Sequence, residues 1–426
     1  MRLLLFVLSI LSLSSCSVSH YVKREVKKSP VLSGHHVGIA IYDPARQKTL
    51  AAHQADKYFT PASNTKLFSL YAGLSALGDS LPGLQYILRG DSLIFWGTGD
   101  PSLLHPDLTR SAVYSFLRGR PEQLYFSPTN FQDERFGPGW AWSDYNDYYQ
   151  PERSPLPVYG NFARFVSDSA RLLYVGPRYW ADSLLTDPAV SGIRRDEDRN
   201  LFRHSLYALP AGLEQDVPVK MSHQVTADLL AHALNRPVGV IEEPLEEVRF
   251  STVYSIPSDS LYARMMQVSD NMLAEQLMLL YATANGLPLN TEQAIEHVLE
   301  HHLADLPDRP VWRDGSGLSR YNLFTPRTQV KLLDKIYNKV PRERLFAILP
   351  QGGKTGTLRN MFKGSGEPYV FAKTGSLSNN YSLSGYLVTR KGRTLLFSFM
   401  NNNYTRPTSE IRKEVERVLT GLHRRY

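Results

Sequence analysis

The sequence predicts one α/β (α+β) domain, with strands at both ends and helices between, interrupted by a large, mostly β insertion. Three observations carry that prediction. Strand-like runs stand near both ends, at about His36 to Tyr42 and Thr49 to His53, then at Tyr369 to Lys373, Ser384 to Thr389 and Thr394 to Met400. Between about 258 and 337 the apolar residues recur at helical spacing, as in Leu273, Leu277, Leu280 and Tyr281. From about 77 to 250 the pattern becomes short strands and turns, such as Leu84 to Leu88 and Leu93 to Trp96 around Arg89-Gly90-Asp91.

In chain order, Met1-Arg2 precedes an apolar run of eleven residues, Leu3 to Leu13. A helix needs roughly 20 residues to cross a bilayer core of about 30 Å, so this run is a secretory signal rather than a membrane span. Leu13-Ser14-Ser15-Cys16 resembles a bacterial lipobox, in which the cysteine becomes the lipidated first residue. The competing reading is a plain signal peptide that happens to contain a cysteine. Cys16 is the only cysteine, so no internal disulfide can form. Residues 1–16 are therefore expected to be a lipoprotein signal peptide with its lipobox, and 17–34 a polar tether. Lipid on Cys16 plus the basic Lys23–Lys28 arm would supply the two membrane signals that stable anchoring needs. The expected location is the cell envelope, periplasmic and lipid-anchored through Cys16.

Net charge is +7, but residues 1–30 carry Arg2, Lys23, Arg24, Lys27 and Lys28 against Glu25, which is +4 of it. The body is close to balanced, which argues against a nucleic-acid partner, since that requires a clustered basic face.

The first hairpin leads into a helix expected from Ala62 to about Leu77, entered through Thr60-Pro61. Ser63 would occupy its first turn, with Lys66 three residues on and on the same face. Residues 35–76 and 251–426 read as one domain, and 77–250 as an inserted accessory domain. Within the insertion, Gly97-Thr98-Gly99 is a turn, and no glycine run has P-loop or dinucleotide spacing. The aromatics of Trp140 to Tyr149 suit either a glycan groove or a core, with core packing favoured; a helix is expected at about Thr226 to Leu234. Beyond the insertion, Ser258-Asp259-Ser260 caps a helix to about Val268, and Ser269-Asp270-Asn271 opens the next. Further helices are expected at Thr291 to Leu303, near Pro326 to Tyr337, and at Ser409 to Leu422, with the polar loop Asp314 to Arg320 among them.

Three short motifs occur in order: Ser63-x-x-Lys66, Ser269-x-Asn271 and Lys373-Thr374-Gly375. A serine is a weak nucleophile until a base takes its proton, and a neutral lysine three residues on can be that base. Ser63 is the only serine with a lysine at the third following position. Each motif alone is weak; together, in order and in the right local contexts, they point to acyl transfer through a serine. Lys354-Thr355-Gly356 duplicates the third motif, but Gln351-Gly352-Gly353 before it reads as a turn. Tyr369-Val370-Phe371-Ala372 reads as a strand that can present Lys373. Ser378-Asn379-Asn380 repeats the second motif out of order, in a strand turn.

On these motifs the chain resembles the low-molecular-mass, class C penicillin-binding proteins, which are D-Ala-D-Ala carboxypeptidases/endopeptidases. The resemblance spans most of residues 35–425 and adds Gly99-Asp100-Pro101-Ser102-Leu103, the Trp140–Tyr149 stretch, Asp314-Gly315-Ser316-Gly317-Leu318-Ser319-Arg320 and Gly356-Thr357-Leu358. Ser63 and Ser269 lie 206 positions apart, which fits that family's large insertion and not the closer spacing of class A β-lactamases. Two features depart from the family: the insertion is short, and Ser376 stands where threonine is more usual. The resemblance implies a penicillin-binding/β-lactamase-like transpeptidase fold, an antiparallel sheet flanked by helices, and a Ser63 acyl-enzyme. It further implies Lys66 as base, Ser269 as proton relay and Asn271 as the residue that fixes Lys66 and the substrate amide. Lys373, Thr374, Gly375 and Ser376 would form the substrate-binding strand. The implied partners are peptidoglycan peptides and β-lactams, with no metal or organic cofactor.

Two other classes compete. His297-Val298-Leu299-Glu300-His301 matches an inverted zinc-protease pattern, with both histidines on one helical face. The neighbours Glu296 and His302 favour a solvated polar face instead. A lipid-anchored peptidoglycan-binding protein with a dead site is the non-enzymatic alternative; it is disfavoured because no position of the catalytic set is substituted.

Overall fold

A computed structural model describes residues 18–108, 111–205, 209–244, 249–364 and 366–426. Cys16 and its lipobox lie outside the described residues. The described residues divide into two compact units: those within 18–71, 262–269 and 298–426 form the first, and those within 72–261 and 270–297 the second.

The first unit is built on a five-stranded sheet. Its order from one edge is Val370–Leu377, Asn380–Val388, Thr394–Asn402, His36–Asp43 and Lys48–His53. Every neighbouring pair is antiparallel, with Lys373 opposite Ser384 and His36 opposite Asn402. Hairpins join sequential strands, and the central pairing brings the start of the chain to its end. Helix Pro326–Lys339 opens with Thr325, whose side chain accepts from the Thr328 N–H, and with Pro326 in its first turn, where no donor is lost. The Tyr386 hydroxyl of the sheet donates to the Leu333 carbonyl of that helix at 2.8 Å. The C-terminal helix Thr408–Arg425 buries Ile411, Val415, Val418, Leu419 and Leu422, one stripe at 3.6-residue spacing. That stripe shares a core with Ile39, Ile41, Leu383 and Phe397 of the strands.

The first unit corrects one expectation. Residues 18–28 are helical, not a polar tether. Val18, Tyr21, Val22 and Val26 fall at i, i+3, i+4 and i+8, and all four are buried in the same core. The Tyr21 hydroxyl donates to the Val418 carbonyl at 3.1 Å. The lysines that make this stretch look solvated in sequence simply occupy its outer face.

Among the described residues the second unit holds three sheets. The largest, five-stranded, runs Val238–Val240, Gln123–Ser127, Ser92–Gly97, Ser80–Arg89 and Ser251–Pro257. Two of its pairings are parallel, through Ser92–Gly97 with Gln123–Ser127 and the latter with Val238–Val240. Such pairings need crossover segments, here including the helices Ala112–Arg118 and His223–Leu234. The helix Asn271–Ala284 also groups with this unit, on the far side of the boundary expected at residue 250. Its residues Met272 to Ala282 are all buried, so it is a core helix and not an amphipathic one. Gln276 Nε2 donates to the Gly99 and Ser154 carbonyls at 2.8 and 2.9 Å, which ties this helix to the Gly99-Asp100-Pro101 turn. The aromatic stretch is less buried than core packing requires: Trp142 is 75% exposed and Tyr148 72% exposed.

The helix at 18–28 makes a stability prediction. Val22→Ala is expected to cost about 2 kcal/mol, the usual loss for emptying a buried aliphatic site. Urea unfolding checks it; a free tether would leave the midpoint where it was.

Candidate functional site

The site in the first unit begins with a tight turn. Ala62–Thr65 form a 3₁₀ turn, and the α-helix Lys66–Ala76 follows directly. In 3₁₀ geometry side chains at i and i+3 eclipse one another, and here those positions are Ser63 and Lys66. Lys66 Nζ accordingly lies 3.0 Å from Ser63 Oγ. The lysine is 0% exposed, and its ammonium also donates to the Ser316 carbonyl at 2.7 Å. One turn on, Ser69 Oγ donates to the Gly315 carbonyl at 2.6 Å.

Those two carbonyls are held by Asp314, itself buried. One carboxylate oxygen accepts from the Gly317 N–H at 2.8 Å and from Asn322 Nδ2 at 2.7 Å, the other from the Ser319 N–H at 2.6 Å. Gly317 sits at φ +84° with the Ala62 carbonyl oxygen 2.0 Å from where a Cβ would be. Only glycine permits that approach. The polar loop is thus a brace that points backbone oxygens at Lys66 and Ser69, a role its residue pattern does not disclose.

The second lysine arrives on the edge strand Val370–Leu377. Lys373 is 0% exposed, and Nζ donates to Ser269 Oγ at 2.8 Å and to the Thr374 carbonyl at 2.7 Å. Burial, and after it the charge of Lys66, hold the Lys373 ammonium well below the ordinary lysine range. Ser269 follows the helix Ser258–Val268 with φ +65°, a left-handed conformation that costs a non-glycine residue of order 1–3 kcal/mol. That strained turn is what carries its hydroxyl to Lys373.

The edge strand is locked against the serine turn. Asn64 Nδ2 donates to the Lys373 carbonyl at 2.9 Å, and a Cβ on Gly375 would meet the Pro61 carbonyl oxygen at 2.5 Å. Thr374 Oγ1 donates to Thr357 Oγ1 at 2.8 Å. Thr357 directly follows the duplicate Lys354-Thr355-Gly356, so that segment borders the site even though Lys354 itself is exposed. Arg412 of the C-terminal helix reaches Ser376 Oγ at 3.4 Å.

The structure therefore brings Ser63, Lys66, Ser269, Lys373 and Thr374 into one network. Asn271 opens the helix Asn271–Ala284 of the second unit, where its Nδ2 donates to the Tyr149 carbonyl at 2.9 Å. His297 of the inverted zinc pattern hydrogen-bonds Tyr281 Oη through Nδ1 at 2.7 Å, and His301 is exposed. Among the described residues no group of histidine, cysteine and carboxylate side chains has the arrangement of a metal site.

Comparison with known proteins gives the same direction. The model of the D-Ala-D-Ala carboxypeptidase 3 (S13) family matches residues 18–169 and 215–422. The D-alanyl-D-alanine carboxypeptidase DacB of Haemophilus influenzae is 23% identical over 444 residues, covering 90% of this chain and 88% of that protein. The crystal structure of penicillin binding protein 4 (dacB) from Haemophilus influenzae superposes with TM-score 0.75 at 20% identity, over 95% of this chain and 99% of that one. A second structure of the same protein, complexed with a β-lactam, gives TM-score 0.71 at 18% identity, with the same coverage.

The buried lysine predicts a pH dependence. In the unfolded chain Lys373 holds its proton up to about 10.5, while in the folded protein it releases it at a much lower pH. Between those limits the unfolded state binds more protons, so stability rises with pH across the window. Lys373→Met removes the group and is expected to flatten that rise. Urea midpoints at a series of pH values decide it: parallel curves for parent and variant would refute the assignment.

Proposed function

The chain belongs to the D-Ala-D-Ala carboxypeptidase 3 (S13) family of penicillin-binding serine hydrolases, and from that premise we propose how its own residues divide the reaction. The single observation that supports the assignment is the buried Lys66 amine, 3.0 Å from Ser63 Oγ, with a second buried lysine close enough to repel it. Two buried amines that repel one another titrate as a pair, and the pair gives up a proton more readily than an isolated lysine. The neutral amine is then a base of matched position for the serine hydroxyl.

Ser63 Oγ attacks the carbonyl carbon of the penultimate D-alanine as its proton passes to Lys66. Backbone N–H groups of Ser63 and Ser376 stabilise the oxyanion, an interaction typically worth about 3–4 kcal/mol per donor. The tetrahedral adduct collapses, the C–N bond breaks, and the departing amine of D-alanine takes a proton relayed through Ser269. Lys373, Thr374 and Ser376 bind the terminal carboxylate, and Gly375 lets the edge strand approach the serine turn. Asn271 orients the substrate amide and Lys66. Water then attacks the acyl-enzyme, with Lys66 again as base, and frees the shortened peptide and Ser63. The same attack on a D-Ala-diaminoacid cross-link is endopeptidase chemistry, since the bond broken and the carboxylate recognised are of the same kind. A β-lactam presents a strained amide and a carboxylate in matching geometry, but its acyl-enzyme retains the leaving nitrogen and blocks the water.

The enzyme works in the cell envelope. We propose that it is held there, on the periplasmic side, by lipid on Cys16, on the strength of the Leu13-Ser14-Ser15-Cys16 pattern after a short apolar run. Mass spectrometry of the mature N-terminus is expected to find a lipid-modified Cys16; an unmodified cysteine or cleavage elsewhere refutes the anchor.

For the chemistry, Ser63→Ala is expected to abolish both labelling by fluorescent penicillin and release of D-alanine. Lys66→Ala should keep the fold yet acylate about 10²–10⁴-fold more slowly, because the serine keeps its proton. A penicilloyl adduct on Ser63→Ala in intact-mass analysis would make another serine the nucleophile.

A further inference from the structure

The antiparallel pairing of the first and last helices collects positive charge at one end of the first unit. Tyr21 contacts Val418, Glu25 pairs with Arg417, and Ser29 Oγ donates to Glu414 Oε2 at 2.7 Å, so the two helices run in opposite directions. Val18, two positions after Cys16, therefore lies beside the last turn of the C-terminal helix. Arg424 and Arg425 are exposed there, and the Arg425 guanidinium lies 4.9 Å from the centroid of the Tyr21 ring. The hairpin loop between strands Asn380–Val388 and Thr394–Asn402 reaches the same end. The Arg390 N–H donates to the His423 carbonyl at 2.9 Å, and His423 Nδ1 donates to the Val388 carbonyl at 2.7 Å. That loop adds exposed Arg390, Lys391 and Arg393. Among the described residues, none of these five cations has an acidic partner. Five uncompensated cations gathered where the chain enters the unit are a large local excess for a protein of net charge +7.

We propose that this end of the first unit is a membrane-facing surface that binds anionic lipid headgroups. Acyl chains on Cys16 would bring the bilayer to Val18, and so put the five cations within a Debye length, about 8 Å at physiological salt, of the headgroup plane. Each cation so placed strengthens binding roughly fivefold. The inference extends the lipid-anchor reading, but its electrostatic part is measurable without the lipid.

The test uses the full chain carrying Cys16→Ser, which cannot be lipidated, and vesicles of phosphatidylcholine with or without phosphatidylglycerol. Arg2 of the leader favours the anionic vesicles in parent and variant alike, so the change in the ratio of the two partition coefficients between parent and variant reports the charged surface. The expected ratio is about tenfold or more, falling as salt rises. Arg390→Glu, Lys391→Glu and Arg393→Glu together should lower it about tenfold or more, while acylation of Ser63 by penicillin stays at the parent rate and shows the fold intact. No preference in the parent, or an undiminished preference in the triple variant, overturns the proposal. So does binding that follows an acidic wall polymer and not the vesicles. An unmodified Cys16 in the mature protein would instead remove the lipid anchor and leave this ratio as it is.

Discussion

Two lysine amines buried in one small space set the conditions that the rest of the first unit meets. A buried ammonium is tolerated only when its donors are satisfied and its charge can be shed. Lys66 is given Ser63 Oγ and the Ser316 carbonyl; Lys373 is given Ser269 Oγ and the Thr374 carbonyl. Each acceptor is in turn held from behind. Asp314 fixes the loop that offers Ser316, the left-handed turn at Ser269 aims its hydroxyl, and Asn64 pins the strand that carries Lys373. Seen this way the arrangement works against stability: burial, a repelling neighbour and a strained backbone all raise the energy of the folded state. Sites that keep groups in reactive protonation states commonly show this conflict between stability and function.

Close contact without side chains is the second device. Gly317 and Gly375 meet the serine turn from opposite partners, one through the Ala62 carbonyl and one through the Pro61 carbonyl. Between them they fix the residues on which Ser63 is mounted. A nucleophile held by backbone packing needs no reorganisation before attack, which is how positioning lowers a barrier.

The residues proposed for the chemistry were legible because reactivity demands particular side chains at short, local spacings. Ser63 with Lys66, and Lys373 with Thr374, need only one turn or one strand to make sense. The residues that hold them were not legible in the same way. Asp314 supports Lys66 across some 250 positions of chain, and Thr357 meets Thr374 only through the tertiary fold. Nothing in a local pattern marks such partners. The stretch at 18–28 failed for another reason: its apolar stripe was present, but five charged residues in so short a segment outweighed it. That helix Asn271–Ala284 groups with the second unit is not legible either, because burial on all sides is a property of its surroundings, not of its spacing. Most strands and helices of the first unit, by contrast, follow from alternation, caps and turns that act within a few residues.

The pairing of the chain's beginning with its end has a consequence for how the protein comes into being. Strand His36–Asp43 hydrogen-bonds Thr394–Asn402, and helix 18–28 rests on Thr408–Arg425. These contacts join segments up to 397 positions apart, so their closure entropy is met only once strand Thr394–Asn402 and helix Thr408–Arg425 have been made. The segment bearing Ser63 is made early, yet the sheet it is mounted against is among the last things to form. A chain that stops short of them carries Ser63 without the complete sheet it is mounted against.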